Sequence, residues 1–227
     1  MIELQHIFKI FNAGKPNEHV AVEDVSLTIE AAKITVLRGP SGSGKTTLLS
    51  VLGCMARPTS GRILLQNREV TSLPSRFRTE IRRKTFGFIF QQYHLLQGIS
   101  VLENVMLPAY PNGDSFAQLK QQAEKLLDLF GLLPKAASKV EWLSGGEAQR
   151  TAIARALVNN PAVIIADEPT AHLDTKLSRE LMEIVAKFKA EGKTILIASH
   201  DPIVHESPVV DQVVDMRDGK LMDSGAA

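Results

Sequence analysis

Hydrophobic and polar positions fall into short regular runs along this chain. Residues 2–8 alternate apolar with polar, the period of a half-buried strand, and residues 19–29 supply a second such run beyond the turn Asn12-Ala13-Gly14-Lys15-Pro16-Asn17. The two predict an antiparallel platform. Ile34-Thr35-Val36-Leu37 is an apolar, β-rich run, and after it Leu48, Leu49 and Leu52 recur at helical spacing, which predicts a strand and then a helix over 45–52. Pro58-Thr59-Ser60-Gly61 and Gln66-Asn67-Arg68 read as turns around a strand at 62–65. The run 86–90 is an apolar strand ending in Gln91-Gln92. Residues 101–130 read as helical, broken at Pro108 and at Pro111-Asn112-Gly113-Asp114 and restarted at Ser115. There Leu119, Leu126, Leu127 and Phe130 form a core stripe. A helix is predicted over 148–159, a buried strand from 163, and a helix over 175–191 with Asp174 as N-cap and Gly192 as its stop. A further buried strand spans 194–199.

The chemistry gathers where strands end. Gly39-Pro40-Ser41-Gly42-Ser43-Gly44-Lys45-Thr46 follows the strand at 34–37 and opens a helix, the context that a phosphate-cradling loop requires. Glycines let the backbone wrap an anion with several N–H groups, and the helix N-terminus adds partial positive charge. Lys45 brings a full charge to the β- and γ-phosphates, Thr46 a hydroxyl for Mg²⁺, and Thr47 a neighbouring phosphate contact. Val163-Ile164-Ile165-Ala166 delivers Asp167, suited to hold Mg²⁺, and Glu168, suited to polarise a water in line with the γ-phosphate. Leu143-Ser144-Gly145-Gly146-Glu147 is a second glycine-rich turn that opens a helix, built like another anion site. His200 stands at the carboxyl end of the last buried strand. The remaining histidines, His6, His19, His94, His172 and His205, read as surface or packing residues. Two placements stay open. Phe11, ending the first strand, either stacks on adenine or packs under the turn. Gln91 either reaches Mg²⁺ or an attacking water, or simply ends its strand.

Composition narrows the picture. With 26 Lys and Arg against 25 Asp and Glu, net charge gives no argument for nucleic acid as the principal partner. No apolar run approaches bilayer length and the N-terminal residues lack a signal-type apolar stretch, so a cytosolic protein is expected unless a partner holds it at a membrane. The single cysteine, Cys54, precludes an internal disulfide and reads as packing. The run 75–84 carries Arg76, Arg78, Arg82, Arg83 and Lys84. It reads as a solvated basic face, with anionic lipid or a membrane partner as the alternative.

The loop at 39–46, Gln91, Leu143-Ser144-Gly145-Gly146-Glu147, Asp167-Glu168, Leu173-Asp174 and His200 occur in the order of ABC transporter ATPase subunits, and the resemblance covers essentially the whole chain. Leu-Ser-Gly-Gly-Glu separates that family from other phosphate-loop proteins. A finer resemblance, carried by Phe90-Gln91-Gln92-Tyr93-His94-Leu95-Leu96, Leu102-Glu103-Asn104-Val105, Leu107-Pro108 and Arg57-Pro58-Thr59-Ser60-Gly61, is to the lipoprotein-releasing, macrolide-exporting and cell-division branch. Ala31-Ala32, Phe11 and Ala148 depart from the usual residues without removing a catalytic group.

The resemblance implies an α/β P-loop NTPase fold with a RecA-like parallel-sheet core, an N-terminal antiparallel β subdomain and an inserted α-helical subdomain. The chain is then one domain. Residues 1–92 and 160–227 form the core with the β subdomain, and 93–159 the helical subdomain, roughly 93–140, with its signature helix. ATP and Mg²⁺ are the implied cofactors, and hydrolysis of ATP to ADP and phosphate the activity. Glu168 is the implied general base, Gln91 the sensor of Mg²⁺ and of the membrane partner, and His200 a γ-phosphate contact. Two copies are expected to meet head to tail when ATP is bound, with Ser144 and Gly146 of one capping the phosphate on Lys45 of the other. Gly145 and Glu147 complete that signature, and Asp174 belongs to a loop through which subunits communicate. The expected partner is a separately encoded transmembrane permease, at the cytoplasmic face of the inner membrane, for export, lipoprotein extraction or transmembrane force transmission. The competing reading, a soluble ABC ATPase of DNA repair or the ribosome, lacks its marks: no long coiled coil interrupts the chain, and there is one cassette. The sequence stops soon after Asp218-Gly219-Lys220-Leu221, so control is expected to come from partners.

Overall fold

The computed structural model describes residues 1–171 and 173–222. The N-terminal run folds as β1 (Ile2–Phe11) and β2 (His19–Ile29), joined by the predicted turn and paired antiparallel. Next come β3 (Ile34–Arg38), α1 (Lys45–Leu52), β4 (Ser60–Leu65), β5 (Arg68–Glu69), α2 (Ser75–Thr85) and β6 (Phe86–Ile89). Helices α3 (Val101–Met106) and α4 (Phe116–Leu129) follow, separated by a 3₁₀ segment, Leu107–Asn112, where Pro108 and Pro111 deny the backbone its helical donors. Both helices start on capping boxes, Ser100 with Glu103 and Ser115 with Gln118. The rest of the chain alternates α5 (Gly145–Leu157), β7 (Val163–Asp167), α6 (Thr175–Ala190), β8 (Thr194–Ala198), α7 (Pro202–His205), β9 (Gln212–Arg217) and β10 (Lys220–Leu221).

Two sheets result. The first is antiparallel in the order β2-β1-β4-β5, and the second runs β10-β9-β3-β8-β7-β6, parallel from β9 to β6 with β10 turned back on β9. Strand alternation divides the core. Ile34 and Val36 of β3, Ile164 and Ala166 of β7, and Ile195 and Ile197 of β8 face the helical layer, where they pack with Val105, Leu127, Ile153 and Leu181. Leu37, Val163, Ile165, Leu196 and Ala198 face the opposite way, onto Leu48 and Leu52 of α1 and onto Ile7, Val25 and Ile63 of the antiparallel sheet. Cys54 is buried in this second cluster and burial pushes its thiol up, as befits a packing residue.

The structure adds the short elements β5, α7 and β10 to the pattern reading and differs from it further at α5, α2 and β9. Helix α5 begins at Gly145, not Ala148, because Ser144 caps it despite the low helical propensity of two glycines. Helix α2 buries none of its residues, yet its face is not simply solvated: Arg82 donates to the Cys54 carbonyl at 3.1 Å and Arg83 to that of Pro111 at 2.9 Å. And β9, with no counterpart in that reading, completes the parallel sheet beside β3.

Candidate functional site

The carboxyl ends of β3, β7, β8 and β6 lie at one edge of the parallel sheet, and each delivers chemistry there. Between β3 and α1 the loop is pinned from both ends of the chain. A methyl group on Gly39 would strike the Met216 carbonyl of β9, and one on Gly44, at φ 98°, the Ala21 carbonyl of β2. Gly44 is also the N-cap of α1 without a side-chain cap, so the first N–H groups of that helix stay free for an anion. The loop, His19, Ala21, Gln91, Glu168 and His200 enclose a cavity of about 270 Å³.

Inside it the charges are arranged in a chain. Lys45, with 5% of its side chain exposed, donates to the carbonyls of Gly39 at 2.7 Å and Pro40 at 3.0 Å and lies 3.4 Å from Glu168 Oε1. Glu168 adopts a left-handed backbone, φ 44°, and its N–H donates to the Ala198 carbonyl at 2.8 Å. Its carboxylate also meets His200 Nδ1 at 3.0 to 3.1 Å. Beside it, burial pushes the Asp167 carboxyl above its ordinary value; Glu168 adds to the effect, and the Thr46 hydroxyl and Lys45 oppose it. Asp167 Oδ1 and Ser43 Oγ are buried without a hydrogen-bond partner. A buried carboxylate oxygen left unpaired beside a threonine hydroxyl fits a hard divalent cation, and an unpaired buried serine in a glycine loop fits a phosphate oxygen. Asp167 and Thr46 are therefore the residues suited to hold Mg²⁺.

The structure gathers Ser41, Gly42, Ser43, Gly44, Lys45, Thr46, Thr47, Gln91, Glu168 and His200 around this cavity, with Gly39 and Pro40 held by the Lys45 ammonium and Asp167 beneath. It does not bring in the others. Ser144 is the N-cap of α5: its N–H and hydroxyl donate to Glu147 Oε2 at 2.9 and 3.1 Å, and Glu147 N–H returns a bond of 3.3 Å to Ser144 Oγ. These bonds, the Ser144 N–H first, hold the Glu147 carboxyl below its usual range. Gly145 and Gly146 form the first turn, and a methyl on Gly146 would touch Leu177 of α6. Asp174 caps α6 by accepting from Leu177 N–H at 2.8 Å. Phe11 is exposed with the Lys9 ammonium 5.0 Å above its ring, and it does not line the cavity. Its cross-strand partner His19, an exposed residue as the sequence reading had it, stands at the rim of the cavity. His172 lies outside the described residues.

Residues 22–171 match the pattern of the ABC transporter family. The chain belongs to that family. It is 40% identical over 222 residues to the uncharacterized ABC transporter ATP-binding protein YvrO of Bacillus subtilis, covering 98% of this chain and 96% of that one. It is 42% identical over 226 residues to the macrolide export ATP-binding/permease protein MacB of Hyphomonas neptunium, where it covers 99% of itself but spans only about a third, 35%, of the relative. Among solved structures, the bacterial ABC transporter cassette MJ0796 superposes with a TM-score of 0.88 at 36% identity, over 97% of this chain and 96% of that one, as a dimer; a post-hydrolysis form bound to ADP and phosphate superposes equally well, at 35%. This ABC protein is accordingly an ATP-binding, ATP-hydrolysing cassette of the transporter type, and the DNA-repair and ribosomal reading falls away. No helix among the described residues is long and apolar enough to cross a membrane.

Proposed function

We propose that the chain is the ATPase subunit of a membrane complex and that two copies close head to tail around ATP to drive a separately encoded permease. The observation that carries this is the division of the anion-binding apparatus. Lys45, Glu168, His200 and Gln91 share one cavity, while the Ser144 end of α5 is capped, exposed and outside it. A second copy supplies that end to the γ-phosphate.

In this arrangement the N–H groups of the loop and the Lys45 ammonium bind and orient the β- and γ-phosphates. Glu168 takes a proton from the attacking water, whose oxygen bonds to the γ-phosphorus as the bond to the ADP oxygen breaks. His200, already touching the Glu168 carboxylate, holds that base and contacts the γ-phosphate. Mg²⁺, held by Thr46 and Asp167 with Gln91 as its sensor, supplies charge neutralisation of the phosphates when bound. Phe11, with His19 across the strand pair, serves the base. Gly145, Gly146 and Glu147 shape the end of α5 presented to the partner copy, and Asp174 serves communication between copies.

A second cleft, of about 370 Å³, supports the permease. Met55, Phe86, Phe88, Phe90 and Pro108 give it an apolar floor, and Arg82, Arg83 and Arg155 line it as well. It adjoins Gln91, so a docked membrane segment is close to the loop that senses Mg²⁺. The protein then lies peripherally on the cytoplasmic face of the inner membrane, without a nucleic-acid role. Its relatives support export, with lipoprotein extraction or transmembrane force transmission as other members of the branch. Tagged Glu168→Gln protein recovered from native membranes with Mg²⁺ and ATP, followed by mass spectrometry, tests this. A co-purifying polytopic membrane protein is expected; recovery of soluble nucleic-acid or ribosomal proteins alone would overturn it.

A further inference from the structure

Arg155 sits in the last turn of α5, eleven residues beyond Ser144, at a distance of about 16 Å along the helix. It is not part of the cavity chemistry and the sequence motifs do not single out a task for it. Its guanidinium donates to two consecutive backbone carbonyls, to His94 at 2.5 Å and to Tyr93. Among the described residues no carboxylate pairs with it. A half-buried cation without a counter-charge still loses hydration, and its two carbonyl bonds are what hold it in place.

The residues it grips are unusual. Tyr93 and His94 both have left-handed backbones, φ 41° and 48°, which L side chains with bulk rarely adopt. They follow directly on Gln91-Gln92, and the His94 ring meets the Phe90 ring edge-on at 5.3 Å, so the turn that carries Gln91 is closed from both sides. The helix that supplies the grip is also tied at its other end. Buried Gln149 donates to the Pro169 carbonyl at 2.7 Å, one residue beyond Glu168, and the capping box stiffens the first turn. A displacement of the exposed Ser144 end therefore reaches the two loops through one rod.

We infer that Arg155 is a positioning residue that sets the Gln91 loop according to the placement of α5, so that the glutamine in one site answers to the nucleotide held against the far end of the same helix. The inference rests on the proposed role of Gln91 and on head-to-tail closure. The plain alternative is a staple that only holds α5 to the loop, without bearing on Mg²⁺.

The experiment uses the purified chain and Arg155→Lys, which keeps the charge and one donor and so retains the fold, alongside Arg155→Met. Without nucleotide or metal, hydrogen exchange of the segment 90–96 is expected to quicken about tenfold in Arg155→Lys, the size expected for loss of one charge-assisted hydrogen bond. The Mg²⁺ concentration that half-saturates turnover should rise about as much, with the affinity for ATP in EDTA unchanged. In a Gln91→Ala background Arg155→Met should add nothing to that rise, because the two act as a unit. Tyr93→Gly together with His94→Gly should partly restore Arg155→Met, since glycine adopts the left-handed turn unaided. Unchanged exchange and an unchanged Mg²⁺ requirement in Arg155→Lys overturn the inference, and so do effects of Arg155→Met and Gln91→Ala that multiply independently. A Mg²⁺ requirement unmoved in Gln91→Ala alone overturns the reading of Gln91 and takes the inference with it.

Discussion

Lys45 and Glu168 face each other at 3.4 Å with 5% and 13% of their side chains exposed, so removing either leaves the other nearly buried, Lys45 with its two carbonyl acceptors and Glu168 with His200. The two substitutions should nonetheless part in their effects. Lys45→Ala takes away the only full positive charge that the loop offers the phosphates, and ATP affinity measured by calorimetry is expected to fall by more than about tenfold. Glu168→Gln keeps the shape and removes the base, so turnover should drop by roughly 10²–10⁴-fold while ATP still binds. Most of these residues were legible in the sequence because they occupy fixed places after β-rich runs. His19 and Arg155 were not. Each takes its place from where another segment lands, His19 from the pairing across from Phe11 and Arg155 from the carbonyls of Tyr93 and His94, and neither relation leaves a mark in local spacing.

At the level of elements, α5 shows what an N-cap does when the first turn is poor. Gly145 and Gly146 disfavour helix, and they hid its start from a periodicity argument; the Ser144–Glu147 box sets it in their place. Ser144→Ala should cost about 1 kcal/mol, read as a fall of roughly 2–4 °C in the thermal midpoint of a chain this size. The strand β9 was missed for a different reason: Gln212-Val213-Val214-Asp215-Met216-Arg217 mixes polar and apolar positions without a clean period, and its place comes from pairing with β3. Just before that pairing register, Asp211 accepts from Ile34 N–H at 2.8 Å and from Lys189 at 2.7 Å. Burial raises its carboxyl, but these two bonds prevail and hold it below the ordinary value. A depressed carboxyl contributes stability that is present above its unfolded value, near 3.9, and is lost as pH falls through the folded one. Asp211→Asn should thus cost about 1 kcal/mol, solvent screening included, constant from pH 6 to 8 and shrinking progressively as pH falls below about 4 in denaturant titrations.

On the proposed head-to-tail closure, the molecule as a whole presents half of each of two sites. The proposed closure makes a sharp demand: Glu168→Gln with ATP should sediment as a dimer, and adding Ser144→Arg should return it to a monomer while each copy still binds nucleotide. A dimer that survives the arginine would mean that the copies meet by another face.

The phosphate loop, finally, is walled by Ala21 near the start of the chain and by Met216 near its other end. Contacts that span so much of the sequence form late. On the ribosome, residues 39–46 emerge early but remain without their second wall until β9 has been made and has paired with β3. A nascent chain stalled ahead of residue 212 should then show α1 and the first strands in limited proteolysis yet fail to retain a nucleotide. Nucleotide binding is thereby tied to the pairing of β9 with β3, long after the phosphate loop itself has been made.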